Sequence, residues 1–236
     1  MKFTNQYYKE KYMSKIMGPN PMMMCEELLS DCRTPAGSVV CDLGSGQGLT
    51  SLMLAKDFGF VTYACDLWSD PEENRAFFRS EGIPDDKIIP VKADATDLKF
   101  EKEFFDAVVC VDSYNYFGRD KSYLDEKLLP FVKRGGYVYL AIPGMVADLH
   151  DNLPPELLLS WTAEQLEYMQ DIGYWTDIFQ VSRDADVVEI CAMQCTERAW
   201  NDWLKQENEY AVSDRKSMNA GAGKYLNTIK IVLQKR

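Results

Sequence analysis

From Val39 to Ser51 the chain runs Val-Val-Cys-Asp-Leu-Gly-Ser-Gly-Gln-Gly-Leu-Thr-Ser. A short apolar run closes on Asp42, glycines follow at the alternate positions Gly44, Gly46 and Gly48, and an amphipathic stretch begins at Leu49. This order dictates a strand, a tight turn and a helix start. Glycine takes up positive φ without strain and leaves no Cβ between the backbone and a ligand. The first turn of the helix behind it presents N–H groups with no partner inside the helix. Spacing then narrows the ligand. A dinucleotide turn needs G-x-G-x-x-G to seat a pyrophosphate, and here Leu49 stands where the last glycine belongs. Asp42, two residues ahead of the first glycine, adds a carboxylate that repels phosphate and suits an ammonium group.

A cationic amino acid joined to a nucleoside meets both conditions, and S-adenosylmethionine (SAM) is such a molecule. Later segments agree with it. Val61-Thr-Tyr-Ala-Cys-Asp66 is a second apolar run ending in an acid. Ile88-Ile-Pro-Val-Lys-Ala-Asp94-Ala95 is a third, and Phe105-Asp-Ala-Val-Val-Cys-Val-Asp112 a fourth. Leu128-Leu-Pro-Phe-Val-Lys-Arg-Gly135-Gly136-Tyr-Val-Tyr-Leu reads as a helix, a glycine turn and a fifth strand. In this order and spacing, residues 37–143 resemble the class I SAM-dependent methyltransferases, in the broad group that includes ubiquinone-, sarcosine- and phosphoethanolamine-type enzymes. The resemblance implies a seven-stranded Rossmann-like α/β sheet, mostly parallel with the last strand antiparallel, and helices on both faces. It implies cofactor contacts from Asp42, Gly44, Ser45, Gly46 and Gly48, and the ribose diol on Asp66. It also implies Leu67 or Trp68 against the adenine, Asp94 and Ala95 at the adenine edge, and Asp112 beside the donor methyl.

At 236 residues and about half apolar, the chain suits one domain with a large core. We divide it into an N-terminal helical lid over 1–36, a SAM-binding core over 37–143, and a substrate-side insertion with the C-terminal strands over 144–236. The net charge of −11 disfavours a nucleic-acid partner, which needs a basic patch. No apolar run approaches a membrane span and the first residues carry no apolar leader, so a cytoplasmic location is expected. A homodimer is compatible with the sequence. Seven cysteines lack C-x-x-C spacing; Cys41, Cys65 and Cys110 fall within strands, where free thiols pack as small apolar groups.

Strand and helix alternate as in a parallel sheet, and ligands of such sheets bind at the carboxyl ends of the strands. Asp42, Asp66, Asp94 and Asp112 all end apolar runs, so all four are expected to face one crevice. Asn20-Pro21 predicts a cap and first turn for a helix over 21–30. Further helices are expected over 49–58, 71–80 and 156–168, with another starting at Trp200. Strands are expected over 186–195 and 225–233. Residues 1–18 read as a short helix whose Tyr7, Tyr8 and Tyr12 serve as a lid or pack on the sheet edge.

Methyl transfer from a sulfonium is an in-line displacement in which positioning supplies much of the catalysis, and no metal is required. An amine nucleophile attacks as its neutral form, whereas a phenol or carbon acid asks for a base. The candidate catalytic residues are Asp112, Tyr116 and the sole histidine, His150. Residues Ser113 to Phe117 are expected to line the pocket, their aromatic faces suiting a cation. Trp161, Trp175, Trp200 and Trp203 read as core, with Trp200 and Trp203 on one helical face. The expected function is SAM-dependent methylation of a small molecule, an amine first. O- or C-methylation and a non-catalytic SAM-binding protein are the alternatives, and a nicotinamide oxidoreductase is disfavoured by the early third glycine.

Overall fold

The computed structural model describes residues 2–236, so the first residue of the expected lid lies outside it. Seven strands form one sheet: β1 (Val39–Leu43), β2 (Val61–Asp66), β3 (Ile88–Lys92), β4 (Phe105–Val111), β5 (Val132–Met145), β6 (Ala185–Ala192) and β7 (Leu226–Lys235). Their spatial order is β3-β2-β1-β4-β5-β7-β6. Pairs among β1 to β5 are parallel, with Val39 opposite Val61 and Val40 opposite Ala107. Strand β7 is antiparallel to both β5 and β6. Strand order reverses between β1 and β4, which opens a crevice at their carboxyl ends.

Side chains alternate across this sheet, and each face has its own core. On one face Val40, Ala107, Val109 and Val111 pack with Met23, Leu52 and Met53. On the other, Cys41, Leu43, Val108 and Cys110 pack with Leu124, Leu128, Trp175 and Phe179. Helices α2 (Pro21–Leu28) and α3 (Leu49–Lys56) belong to the first face, with Phe78 of α4 (Pro71–Ser80). Helix α6 (Ile172–Gln180), preceded by a short α5 (Ala163–Leu166), belongs to the second face through Trp175 and Phe179. Helices α7 (Thr196–Trp203) and α8 (Glu209–Asn219) lie between β6 and β7 in the chain, and Ala199 and Ala211 join the first core.

Local chemistry sets several boundaries. Asn20 caps α2, its Oδ1 accepting from the N–H groups of Met22 and Met23, and Pro21 fills the first helical position. Asp70 and Pro71 repeat the arrangement for α4. Four expectations need correction. In place of the one short helix expected over 1–18, residues 2–18 form a 3₁₀ turn over Thr4–Tyr7 and a one-turn helix, α1 (Glu10–Met13), because Lys9 is extended between them. The helix expected over 156–168 is broken: Ser160 ends a 3₁₀ turn, and Thr162 starts α5 in a capping box with Gln165. Trp203 ends α7 instead of lying near its start. Helices α6 and α8 were not anticipated; Asp171 and Asn208 cap them.

No helix among the described residues is long and apolar enough to cross a membrane. No group of three or more His, Cys, Asp or Glu side chains among them is arranged to hold a metal ion. All seven cysteines are free, and Cys25, Cys41, Cys65, Cys110 and Cys195 are buried.

Candidate active site

The turn between β1 and α3 has the conformation that its glycines require. Gly44, Gly46 and Gly48 have φ of +78°, +51° and +81°. A Cβ on Gly44 would overlap the Ser113 hydroxyl and one on Gly48 would overlap the Phe78 ring, whereas one on Gly46 would meet nothing. The open face of the turn is therefore at Gly46. Two side chains brace it: Asp66 Oδ2 accepts from the Gly46 N–H at 2.9 Å, and the buried Asn74 donates to the Gly46 carbonyl at 2.9 Å.

Asp66 is fixed by its own loop as well, its Oδ1 accepting from the N–H groups of Trp68 (2.8 Å) and Ser69 (2.7 Å). A carboxylate held by three backbone donors is oriented before any ligand arrives. Leu67 and Trp68 follow it at the surface, and Trp68 is 88% exposed. Asp94 is exposed, with Oδ1 accepting from the N–H and hydroxyl of Thr96. The Thr96 hydroxyl and then its N–H hold this carboxyl below its usual range.

Three cavities meet at the carboxyl ends of the strands. A strand-end cavity of about 450 Å³ is walled by Asp66, Leu67, Trp68, Asp94, Ala95 and Phe117, among others. A glycine-loop cavity of about 130 Å³ runs along Gly44, Ser45, Gly46 and Gln47, under Lys15 and Gly18. A helix-side cavity of about 540 Å³ lies against α5, α7 and α8. Gly44 lines the first two, Tyr116 the first and third, and Asp112 the glycine-loop and helix-side cavities. Asp112 is thus the carboxylate at the junction.

Asp112 follows β4 directly, with a φ of +63° that is unusual for a residue other than glycine. Burial, then the negative charge of Asp214, pushes its carboxyl up to about 7. Asp214, on α8, accepts from the Trp203 indole N–H at 2.8 Å. Burial raises Asp214 as well, with the Trp203 and Trp161 indoles pulling the other way.

Asp66, Asp94 and Asp112 face the cavities as expected, but Asp42 does not. Its side chain is fully buried below the turn, where Oδ2 accepts from the hydroxyls of Thr50 (2.6 Å) and Ser51 (2.5 Å). The strand directs it beneath the first turn of α3, so it organises the loop and lines none of the cavities. Burial raises its carboxyl to about 6, partly offset by the Ser51 and Thr50 hydroxyls.

His150 is also displaced from its expected place. Both ring nitrogens are engaged, Nδ1 with Asp148 at 2.7 Å and Nε2 with the Leu166 carbonyl at 3.1 Å, and His150 lines none of the three cavities. It ties the loop after β5 to α5. Tyr114 departs from the expected pocket wall too: it is buried in the second core, while Ser113, Asn115, Tyr116 and Phe117 line cavities.

Tyr7, Tyr8 and Tyr12 line none of the cavities. Their hydroxyls anchor the N-terminal segment to Asp57, Asp202 and Glu81. The wall comes instead from Lys15 and Met17 to Pro19. Trp175, Trp200 and Trp203 are core as expected, and Trp161, Trp200 and Trp203 also wall the helix-side cavity. The shared face of Trp200 and Trp203 was the available signal. Asn74 and Asp214 gave none, since polar residues on a helix usually face solvent.

Residues 41–140 match the family model described as "Methyltransferase domain". No curated protein sequence matches the chain. Among solved structures, a SAM-dependent methyltransferase from Thiobacillus denitrificans, in complex with S-adenosyl-L-homocysteine, is 20% identical with a TM-score of 0.70, and the alignment covers 94% of each chain. A phosphoethanolamine N-methyltransferase 2 from Haemonchus contortus, in complex with SAM, is 17% identical with a TM-score of 0.72. Here the alignment covers 98% of this chain and 58% of that one. A geranyl diphosphate C-methyltransferase from Streptomyces coelicolor is 16% identical with a TM-score of 0.68, covering 89% and 77% respectively. The match over residues 41–140 and the shared strand order place the chain among proteins with the class I SAM-dependent methyltransferase fold.

Proposed function

We propose that this chain binds SAM across the strand-end and glycine-loop cavities and transfers its methyl group to an amine of a small molecule in the helix-side cavity. The position of Asp112 carries the reading, because this one carboxylate borders both the loop cavity and the helix-side cavity, which lies beyond the two assigned to the donor and has room for a second molecule.

The residues present fit the donor. Adenosine suits the strand-end cavity, with the pre-oriented Asp66 as acceptor for the ribose diol and Leu67, Trp68 and Phe117 as apolar walls. The amino-acid part suits the glycine loop. Ser45 Oγ is buried there without a hydrogen-bond partner, the face of Gly46 is open, and Lys15 is a cation for a carboxylate. Asp42 Oδ1 is buried and unpaired below the turn, so its negative charge favours a cation above it at short range.

When bound, SAM supplies an activated methyl group: the nitrogen lone pair forms the C–N bond as the C–S bond breaks and its electron pair passes to sulfur. The chain supplies position and a proton acceptor. Tyr116, with Asp112 and Gly44, borders the line between donor and acceptor cavities and orients the attack. Asp112, poised near neutrality, accepts the proton that the nitrogen loses. The test is methyl-labelled SAM with a panel of amines, phenols and carbon acids. Label in amines, with one demethylated donor per transfer, is expected. Label confined to phenols or carbon acids overturns the amine assignment, and binding of SAM with transfer to none of the panel overturns turnover.

A further inference from the structure

The helix-side cavity has a one-sided polar lining. Asp112 and Asp214 both line it, and so does Asn115, which is 1% exposed and whose Oδ1 has no hydrogen-bond partner. Asn115 Oδ1 therefore lacks a donor, and the donor that Asp214 has is the neutral Trp203 indole. No Lys, Arg or His lines the cavity among the described residues. Arg119 is committed elsewhere: its guanidinium donates to the Glu167 carbonyl at 2.9 Å and stacks 4.3 Å from the Tyr168 ring centroid. The rest of the wall includes Trp161, Trp200, Tyr116 and Tyr210, aromatic faces that favour cations over anions.

Two carboxylates facing one cavity, each partly withdrawn from water, favour cationic groups over anionic ones. Resting on the amine-methylation reading, the nitrogen that attacks beside Asp112 is neutral at that moment and gives up a proton only afterwards. It cannot compensate Asp214. Asp214 is held facing the cavity by the Trp203 indole and has no cationic partner of its own. We propose that the acceptor is a short diamine or aminoalkyl-ammonium compound, with its reacting nitrogen at Asp112 and a second, positively charged nitrogen at Asp214, Asn115 and the surrounding indoles. Asp214 is then a specificity-determining residue. An acceptor bearing a phosphate is rejected, because it would bring a second negative group against two carboxylates with no cation to receive it.

The test uses the full chain saturated with S-adenosylhomocysteine and follows heat on titration with 1,4-diaminobutane, n-butylamine or O-phosphoethanolamine. The diamine is expected to bind about tenfold or more tightly than butylamine, and phosphoethanolamine not measurably. Asp214→Asn keeps a carbonyl acceptor for Trp203. It is expected to erase the diamine's advantage while the affinity for S-adenosylhomocysteine stays as in the parent, which reports an intact fold. Equal binding of diamine and butylamine, with butylamine methylated, overturns the second-charge proposal and leaves amine methylation standing. Binding of neither amine while S-adenosylhomocysteine binds overturns both. Phosphoethanolamine binding tightest overturns the proposal on the parent protein alone, whatever the variant does.

Discussion

The backbone of Gly18 lies against the carboxylate of Asp112 so closely that a Cβ on residue 18 would overlap Oδ2. The N-terminal segment therefore sets where the junction carboxylate sits. Gly18 does not have a positive φ, so alanine is tolerated by the backbone and the overlap falls on the movable end of Asp112. Gly18→Ala should lower the rate of methyl transfer by roughly 100-fold, the order expected when a reacting group is misplaced by about 1 Å. The loss should persist at saturating SAM, and the melting temperature should change little. Loss of folding, or an unchanged rate, would show that the contact does not position Asp112.

Asp112 should leave a signature in stability. Its folded carboxyl titrates near 7, above the ordinary aspartate value of about 3.9. A raised value means that its contribution is fully present below about pH 4 and is lost as pH rises through about 7. Asparagine also accepts the positive φ at this position. Urea unfolding at pH 5 and pH 8 should show the parent losing on the order of 1–3 kcal/mol relative to Asp112→Asn over that interval. Parallel curves would contradict the assignment. Methyl transfer by the parent should rise through the same window as the proton acceptor ionises, and Asp112→Asn should lose that dependence.

Gly46 and Gly48 should respond differently to the same substitution. Both have positive φ, which costs an L-residue about 1–2 kcal/mol. At Gly46 the new methyl group meets no protein atom, so the protein should fold and lose SAM affinity by at least about 1.4 kcal/mol, or tenfold. At Gly48 it strikes the Phe78 ring, so the cost should appear in thermal stability. Calorimetry with SAM and a melting curve for each variant separate the two effects.

His150→Ala should spare catalysis. Its two hydrogen bonds suggest a loss of about 1–2 kcal/mol in stability, with methyl transfer as in the parent. Burial pulls the imidazole down, but Asp148, the Leu166 carbonyl and nearby acids more than offset it, so the net shift is upward. Its contribution is therefore full below about pH 6.5 and fades as pH rises through the raised value. The deficit of the variant should shrink between pH 6 and pH 9 in denaturant titrations. A large loss of activity at unchanged stability would restore a catalytic role.

Much of the architecture was legible because it rests on local rules. Alternating glycines after an apolar run demanded the β1–α3 turn, and Asn20-Pro21 and Asp70-Pro71 marked helix starts. Asp66, the last residue of β2, and Asp112, directly after β4, were readable from the apolar runs that they close. What escaped notice depends on tertiary packing. Asp42 closes an apolar run like the others, yet the hydroxyls of Thr50 and Ser51 hold it beneath the helix. His150 follows β5 in a loop suited to a site, yet neighbours at Asp148 and Leu166 occupy both nitrogens. Asp214 looks like any charge on a solvated helix until α8 folds over Trp203. The helix-side cavity is assembled from segments far apart in the chain, and no local pattern encodes their convergence.

The central claim is that the open face of the glycine turn, with Asp66 beside it, holds SAM. Calorimetric titration of the parent and Asp66→Ala with SAM and with NAD tests it most directly. The parent should bind SAM and not NAD, and the substitution should weaken SAM binding by about 1.5–3 kcal/mol through loss of charge-assisted hydrogen bonds to the ribose. Binding of NAD alone, or the same SAM affinity in both proteins, would contradict it.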